Sequence, residues 1–595
     1  MRKLFFLVLI ASLAACKLSN TNQTMEDNKE LSVLLDKYYE ERLQIFPVEA
    51  TINGDNRYND KLYIDFTDSY RQKLKEFYNR YKVYIAKFDR DALNDNDKLS
   101  FDAFSREMDI SLEGLTFHDN YQPLNQFSSP HLMFAQFGSG SVIQPFKTVK
   151  DYDDWLKRVA VFPAYADSVI VYFKKGIETG FVLPKAVVIK MIPQMQSMVV
   201  TDAAKSLFYG PVTNLPASFG DADKKRLTEA YVKAISEQVV PAYKRLGDFL
   251  QNEYLPKART TTGIGSLKDG DKYYKYLIRL LTTTNKTPDE IYTTGLSEVA
   301  RIRSEMERIK TETGFTGDLP AFFTYLKTDK KFTPYKTPKE VLDAFEAIHQ
   351  KMKPNLQKMF GHTPKTPFEI RQTEAFREAS ASAEYNQGSA DGTRPGIFYI
   401  PIADATRFNI TSGMESLFLH EAIPGHHYQI SLQQENSKLP NFRRFGGNSA
   451  YAEGWALYCE SLGKELGLYT DPYQYMGALG DEIHRAIRLV VDVAIHTKSM
   501  SREEAIKYMM DNEAITEQGA TAEIERYMAI PGQALSYKIG QLKILALRKK
   551  ASEALGDRFS VAAFHDEVLK YGCLPLDVLE SRVDQWVAQQ QKNKP

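Results

Sequence analysis

Leu419-His420-Glu421-Ala422-Ile423-Pro424-Gly425-His426-His427-Tyr428 packs three of the chain's ten histidines into eight residues, beside a carboxylate. Imidazoles next to a glutamate on neighbouring helical turns can present a zinc ion to water. In the familiar pattern, H-E-x-x-H, the histidines share a helix face at i and i+4 and the glutamate is general base. Here the second histidine arrives at i+6 or i+7. On a regular helix His426 would lie about 240° around from His420, and His427 roughly 10.5 Å further along the axis. Zn–N bonds are only about 2.0–2.1 Å, so neither suits an unbroken helix. Pro424 stands four residues after His420, cannot donate to its carbonyl and clashes with it. The helix must therefore kink or bulge there, and Gly425 eases the turn. A bulge absorbing two residues carries His426 to the usual i+4 place. His420 and His426 are the candidate ligands, His427 the alternative, and a hydrogen-bonded histidine cluster the competing reading.

A third ligand must come from another element. Ser449 to Glu460 reads as an apolar helix carrying only Glu453 and Glu460, seven apart and hence on one face. A carboxylate in such a helix is costly to bury unless paired or bound to metal. One of the two can reach the metal while the other orients a ligand histidine through its second nitrogen. Two histidines, a glutamate and an open fourth position describe a catalytic zinc site.

The H-E-A-I-P-G-H-H run resembles the signature of a bacterial family called "domain of unknown function 885". That family resembles the gluzincin metallopeptidases, including carboxypeptidase Taq and the oligoendopeptidases. Their H-E-x-G-H pattern matches its Gly-His pair to Gly425-His426 and its ligand glutamate to Glu453; the two residues before Gly425 are extra. The resemblance implies one zinc ion per chain held by His420, His426 and Glu453, with Glu460 behind a histidine and Glu421 as general base. It also implies a peptide substrate, short rather than folded.

Further segments fit that expectation. Asp391 to Ile400 runs from a Gly/Pro-rich turn into a β-branched and aromatic strand, following Glu384-Tyr385. In gluzincin-like sites an edge strand beside the metal pairs with the peptide backbone. Arg394 is a candidate for a substrate carboxylate, or a loop pin, and Tyr399 a candidate contact. Arg488, Asp492 and His496, spaced i, i+4 and i+8, form one polar stripe on an apolar helix. Beside the metal they would bind substrate, support a ligand and pass a proton; the alternative is a structural ion-pair network. Arg526 to Gly540 resembles the tyrosine-bearing segment of the related peptidases, which makes Tyr537 the oxyanion-binding candidate and Tyr527 the next.

The elements that must position these residues are helical. Thr287-Pro288-Asp289-Glu290, Thr337-Pro338-Lys339-Glu340 and Ser501-Arg502-Glu503-Glu504 read as capping boxes, two with Pro at N1. Long amphipathic runs follow, as at 291–310 and 341–359. The fold class expected is mainly α, a large multi-helix bundle enclosing a cleft, with a small β element beside the metal-site helix. Residues 31–260 are expected to form an N-terminal helical part and 261–595 the catalytic part.

Charges balance, 76 against 76, which gives no case for nucleic acid or a polybasic membrane face. Arg2-Lys3 and the apolar run Leu4 to Leu13 read as a secretory signal over residues 1–15. Leu13-Ala14-Ala15-Cys16 resembles a bacterial lipobox, implying lipidation at Cys16. Residues 16–30 would then be a flexible tether, and the chain would be anchored in the cell envelope by lipid alone, on the periplasmic side or at the outer membrane. Rival readings are a zinc hydrolase of a non-peptide amide or ester, and a non-catalytic peptide-binding lipoprotein.

Overall fold

The computed structural model describes residues 26–140, 143–373, 382–389, 392 and 394–592. Cys16, Asp391 and Thr393 lie outside them. The principal helices before the sheet are α1 (Lys29–Ile45), α2 (Asp68–Ile85), α3 (Asp95–Gly114), α4 (Val149–Thr179), α5 (Pro288–Glu312), α6 (Leu319–Thr328) and α7 (Pro338–Met359). Strands β1 (Phe368–Gln372), β2 (Glu384–Asn386) and β3 (Gly396–Ile400) follow. Then come α8 (Met414–Glu421), α9 (His426–Glu435), α10 (Ser449–Ser461), α11 (Pro472–Thr497), α12 (Glu517–Ala529) and α13 (Ser536–Leu555). The protein is mainly helical, as its sequence predicts.

Local signals start these helices where expected. Thr287 and Glu290 close a reciprocal capping box on α5, as Ser501 and Glu504 do on the helix at Arg502–Asn512. At α7 only half the box forms. Thr337 caps the Glu340 amide, but the Glu340 carboxylate accepts from the Lys336 amide at 2.6 Å.

Three apolar cores hold the bundle. α1, α2 and α3 enclose Leu31, Tyr38, Phe77, Tyr81 and Phe104, and Phe442 from far along the chain closes that core. A second core runs from Leu124 to Tyr254, crosses residue 260 and continues through Val299–Phe332 and Met476–Ala534. The third surrounds β3, α8, α10 and α13. Helix α11 lies between the last two: Ile483, Ile487 and Val491 face one, Leu489 and Val493 the other. It is therefore buried all round over residues 486–496, where Arg488, Asp492 and His496 interrupt an otherwise apolar surface.

β3 is the centre of the three-stranded sheet, parallel to β1 and antiparallel to β2. The run at Gly396–Ile400 is a strand, but not the edge that the sequence suggests. Its flanks are taken, and the sheet's edges are β1 and β2. Among the described residues no helix is long and apolar enough to cross a membrane.

Three imidazoles are buried inside these cores and held neutral. Burial pushes His131 down to about 4 and His496 and His565 down to about 3. The unfolded chain binds protons on these rings near pH 6.5 and the folded chain does not, so folding loses ground as pH falls below that value. Thermal stability is expected to decline below pH 6.5, by up to about 1.4 kcal/mol per pH unit for each ring, partly offset by Asp481 and Asp492, whose carboxyls burial raises to about 6 and 7. A melting temperature unchanged down to pH 5 would contradict this.

Candidate metal centre

Helix α8 stops at Glu421, and α9 begins at His426. Sequence reasoning expects one bulged helix here; instead there are two, separated by a turn at 422–425. Ala422 (φ −104°, ψ −104°) and Gly425 (φ −72°, ψ −127°) leave the helical region on either side of a cis Ile423–Pro424 bond. The Trp455 indole N–H donates to the Pro424 carbonyl at 2.9 Å and ties the turn to α10. Gly425 makes the close passage: a Cβ there would lie 1.9 Å from the His420 carbonyl oxygen and 2.3 Å from that of Leu419. No side chain fits such a gap.

This turn folds His426 back onto His420. Their rings stand perpendicular, with centroids 4.9 Å apart. Glu453, from α10, places Oε2 3.5 Å from His420 Nε2 and 3.4 Å from His426 Nε2. The three ligand atoms all lie within 4.8 Å of one another. Donors bound tetrahedrally at about 2.0–2.1 Å sit roughly 3.4 Å apart, so this set fits a zinc-sized ion. His427, the alternative ligand, points elsewhere. Its Nδ1 lies 3.0 Å from the Tyr385 hydroxyl of β2, and burial lowers its pKa to about 4. The break, rather than a bulge, brings His426 and not His427 to His420 and Glu453.

Glu460 lies behind the site, with Oε1 2.7 Å from His420 Nδ1. Accepting the Nδ1 proton leaves Nε2 free to face the ligand position. Burial opposes the Glu453 charge, but the two imidazoles outweigh it and hold this carboxyl well below the usual range. Glu421 is shifted the other way: burial raises it, and His420, His426 and Arg485 only partly offset the rise. One carboxylate is thus kept charged as a ligand would be, and its neighbour is made more basic. Glu460→Ala is expected to weaken metal binding about 10–100-fold. A chelator-competition titration reads this, and unchanged affinity would remove Glu460 from the support of His420.

The other sequence candidates separate. Tyr537, at the start of α13, is half-buried, with its ring 4.7 Å from the Arg488 guanidinium carbon. Helix α13 crosses α10 at a glycine contact: a Cβ on Gly454 would lie 2.4 Å from the Gly540 Cα. Tyr537 is thereby held on the same crossing as Glu453. Arg488 is buried, donating from Nε to the Tyr527 hydroxyl and from Nη2 to Glu523, both at 3.1 Å. Tyr527 also donates to Glu523, at 2.6 Å, so its hydroxyl serves this cluster rather than a substrate.

Asp492 and His496 are corrections. Asp492 accepts from the Tyr274 hydroxyl at 2.5 Å and from the Gly532 amide at 3.1 Å, and burial raises its pKa to about 7. His496 accepts from the Ile264 amide at Nδ1 and reaches the Tyr527 carbonyl from Nε2, both at 3.1 Å. With both nitrogens committed to backbone, His496 has none left for proton transfer. Asp492 and His496 pin turns to α11 instead of serving the metal residues, because the groups facing them are the Tyr274 hydroxyl and the backbone of Gly532, Ile264 and Tyr527. Arg394 is exposed and donates to the Gln387 carbonyl at 3.3 Å across its own loop, the pinning role. Tyr399 is half-buried in β3, in register with Arg371 on one side and Glu384 on the other.

Sequence reasoning gave no role to Tyr385, Trp455, Asp481 or Arg485. The last two are an i, i+4 charged pair on apolar α11, a signal legible in the chain. Arg485 donates from Nη1 to the Asp481 backbone carbonyl at 3.1 Å and to its carboxylate at 3.3 Å. The Asp481 carboxylate accepts from Ser416 of α8 at 2.6 Å, and burial raises its pKa to about 6. This contact seats α8 on α11.

Comparison with known proteins agrees with the fold. A crystal structure of a candidate lipoprotein from Colwellia psychrerythraea is similar to this chain, with a TM-score of 0.86 and 28% identity over 94% of this chain and 99% of that one. A candidate lipoprotein of unknown function from Shewanella oneidensis shares the fold, with a TM-score of 0.71 and 20% identity over 93% of this chain and 99% of that one. The sequence matches no curated protein. A family model described as "bacterial protein of unknown function" matches residues 47–583, and by that near-complete match the chain belongs to this family, DUF885.

Proposed function

We propose that the protein is a zinc-dependent metallopeptidase of short peptides, gluzincin-like in its ligand set. The observation that carries the reading is the convergence of His420 Nε2, His426 Nε2 and a Glu453 oxygen at 3.4–3.5 Å, from three separate helices. A zinc ion held by these three would lower the pKa of its water toward 7. Glu421, adjacent to His420 and made more basic by burial, takes the proton from water attacking a peptide carbonyl. It then returns that proton to the leaving amine. Tyr537 is the hydroxyl assigned to the developing oxyanion. Glu460 fixes the His420 tautomer throughout.

The Leu13-Ala14-Ala15-Cys16 run, together with two structural neighbours named as candidate lipoproteins, supports a lipid anchor at Cys16 in the bacterial cell envelope.

Elemental analysis of the purified chain tests the site. About one zinc per chain, lost in His426→Ala and retained in His427→Ala, is the expected result. A chain that takes up no zinc after repletion would leave the cluster as ion pairs only and end the metallopeptidase reading.

A further inference from the structure

A cavity of about 550 Å³ opens beside α11, between α5, α6 and the segment that leads into α8. Its wall is apolar on one side, formed by Met306, Phe323, Leu326 and Met476. The lining also presents Arg485 and Arg488, three residues apart on α11, and Lys327 of α6. Both guanidinium groups keep unused donors. Every hydrogen bond of Arg485 leaves from Nη1, and its buried Nε has no partner among the described residues. Arg488 is 5% exposed, and its Nη1 likewise has no partner among them. Buried cationic donors without partners are costly, and an anion with two oxygens is the complement of a guanidinium fork.

The cavity borders the elements that carry the site: Asp481 on its wall accepts from Ser416 of α8 at 2.6 Å, and the guanidinium carbon of Arg488 lies 4.7 Å from the Tyr537 ring. An anionic group seated between Arg485 and Arg488 would therefore lie on the side of α11 that meets α8 and Tyr537. Asp481 occupies only Nη1 of Arg485, and Glu513 on the cavity wall lies 2.8 Å from His484 through Oε2, while its Oε1 has no partner among the described residues.

We propose that this cavity receives the C-terminal residue of a peptide, its free carboxylate on Arg485 with Arg488 behind, and an apolar side chain against Met306, Phe323 and Leu326. The protein is then an exopeptidase that works from the carboxyl end and favours hydrophobic termini. This rests on the metallopeptidase reading for the reaction, but not for the binding.

Binding is read without turnover, by calorimetry on the Glu421→Gln chain with benzoyl-glycyl-phenylalanine and its C-terminal amide. The free acid is expected to bind about 10–100-fold more tightly, the value of one charge-assisted hydrogen-bonded contact. That preference should vanish in Arg485→Ala. It should also shrink in Ser412→Glu, an exposed position on the cavity wall where a like charge repels the acid without touching the core. Melting curves identify an Arg485→Ala chain that fails to fold, in which case Ser412→Glu decides. Equal binding of acid and amide, no binding of either, or a preference that survives Ser412→Glu and a folded Arg485→Ala would overturn the proposal. Hydrolysis by the wild-type chain separates the two ideas. Equal cleavage of end-blocked and free peptides would sink the carboxylate site and keep the peptidase, whereas no cleavage by zinc-loaded protein would sink the peptidase alone.

Discussion

Glu421→Gln is expected to lower peptide hydrolysis by about 10²–10⁴-fold, the usual contribution of a positioned general base, while the chain keeps its metal. Glutamine has nearly the same shape, so α8 and the turn after it are undisturbed. The proposed ligand atoms come from His420, His426 and Glu453, none of which changes. Stability should not fall with activity. Burial raises the Glu421 pKa above its ordinary value. A carboxyl shifted this way favours folding most below its unfolded pKa and progressively less as pH rises and the group must ionise. At neutral pH a neutral amide is therefore neutral-to-stabilising. Activity lost with zinc content and melting temperature retained is the signature of a base rather than a structural carboxylate. Activity within tenfold of wild type would remove Glu421 from the mechanism.

Gly454→Ala is expected to destabilise the chain and to disturb the metal residues together. The new Cβ would meet the Gly540 Cα at 2.4 Å, the Gly540 carbonyl carbon at 2.6 Å and the Gln541 nitrogen at 3.0 Å. These are backbone atoms, so no rotamer change relieves the contact. Ordinary carbon contacts are about 3.5–4.0 Å, so α10 and α13 must part by roughly an ångström. Alanine's better helix propensity offsets at most about 1 kcal/mol, against roughly 1–3 kcal/mol or more for overpacking. Clash wins. Glu453 precedes Gly454, so separating the helices withdraws its carboxylate from the imidazoles. Zinc affinity should drop at least about tenfold, as it does when a ligand's support is lost. Gly480→Ala is the control: on α11 its Cβ would meet nothing within 4 Å, and it should gain about 0.5–1 kcal/mol. Equal melting temperatures for the two variants would show that the α10–α13 contact is not tight.

Much of the helical framework was legible locally. Thr287 and Ser501 cap helices by hydrogen bonds that span three residues, and such signals need no partner elsewhere. The residue types able to hold a metal were legible as well, because histidines and glutamates in apolar segments are costly unless something receives them. The choice between His426 and His427 was not. It depends on where the chain turns after Glu421, which Trp455 sets from 31 residues away by holding the Pro424 carbonyl, and Gly425 by its approach to the carbonyl of His420. Asp492 and His496 misled for the same reason. Spacing places them on one face of α11, but only packing reveals that the face meets Gly532, Ile264 and Tyr527 rather than the metal residues. Arg485 went unassigned because its free donors acquire meaning only beside a cavity built from helices nearly two hundred residues apart. The chain by itself determined that it would be helical and which side chains could hold a metal. Tertiary packing decided which of them meet, because periodicity specifies a residue's face and never the neighbour that face will find.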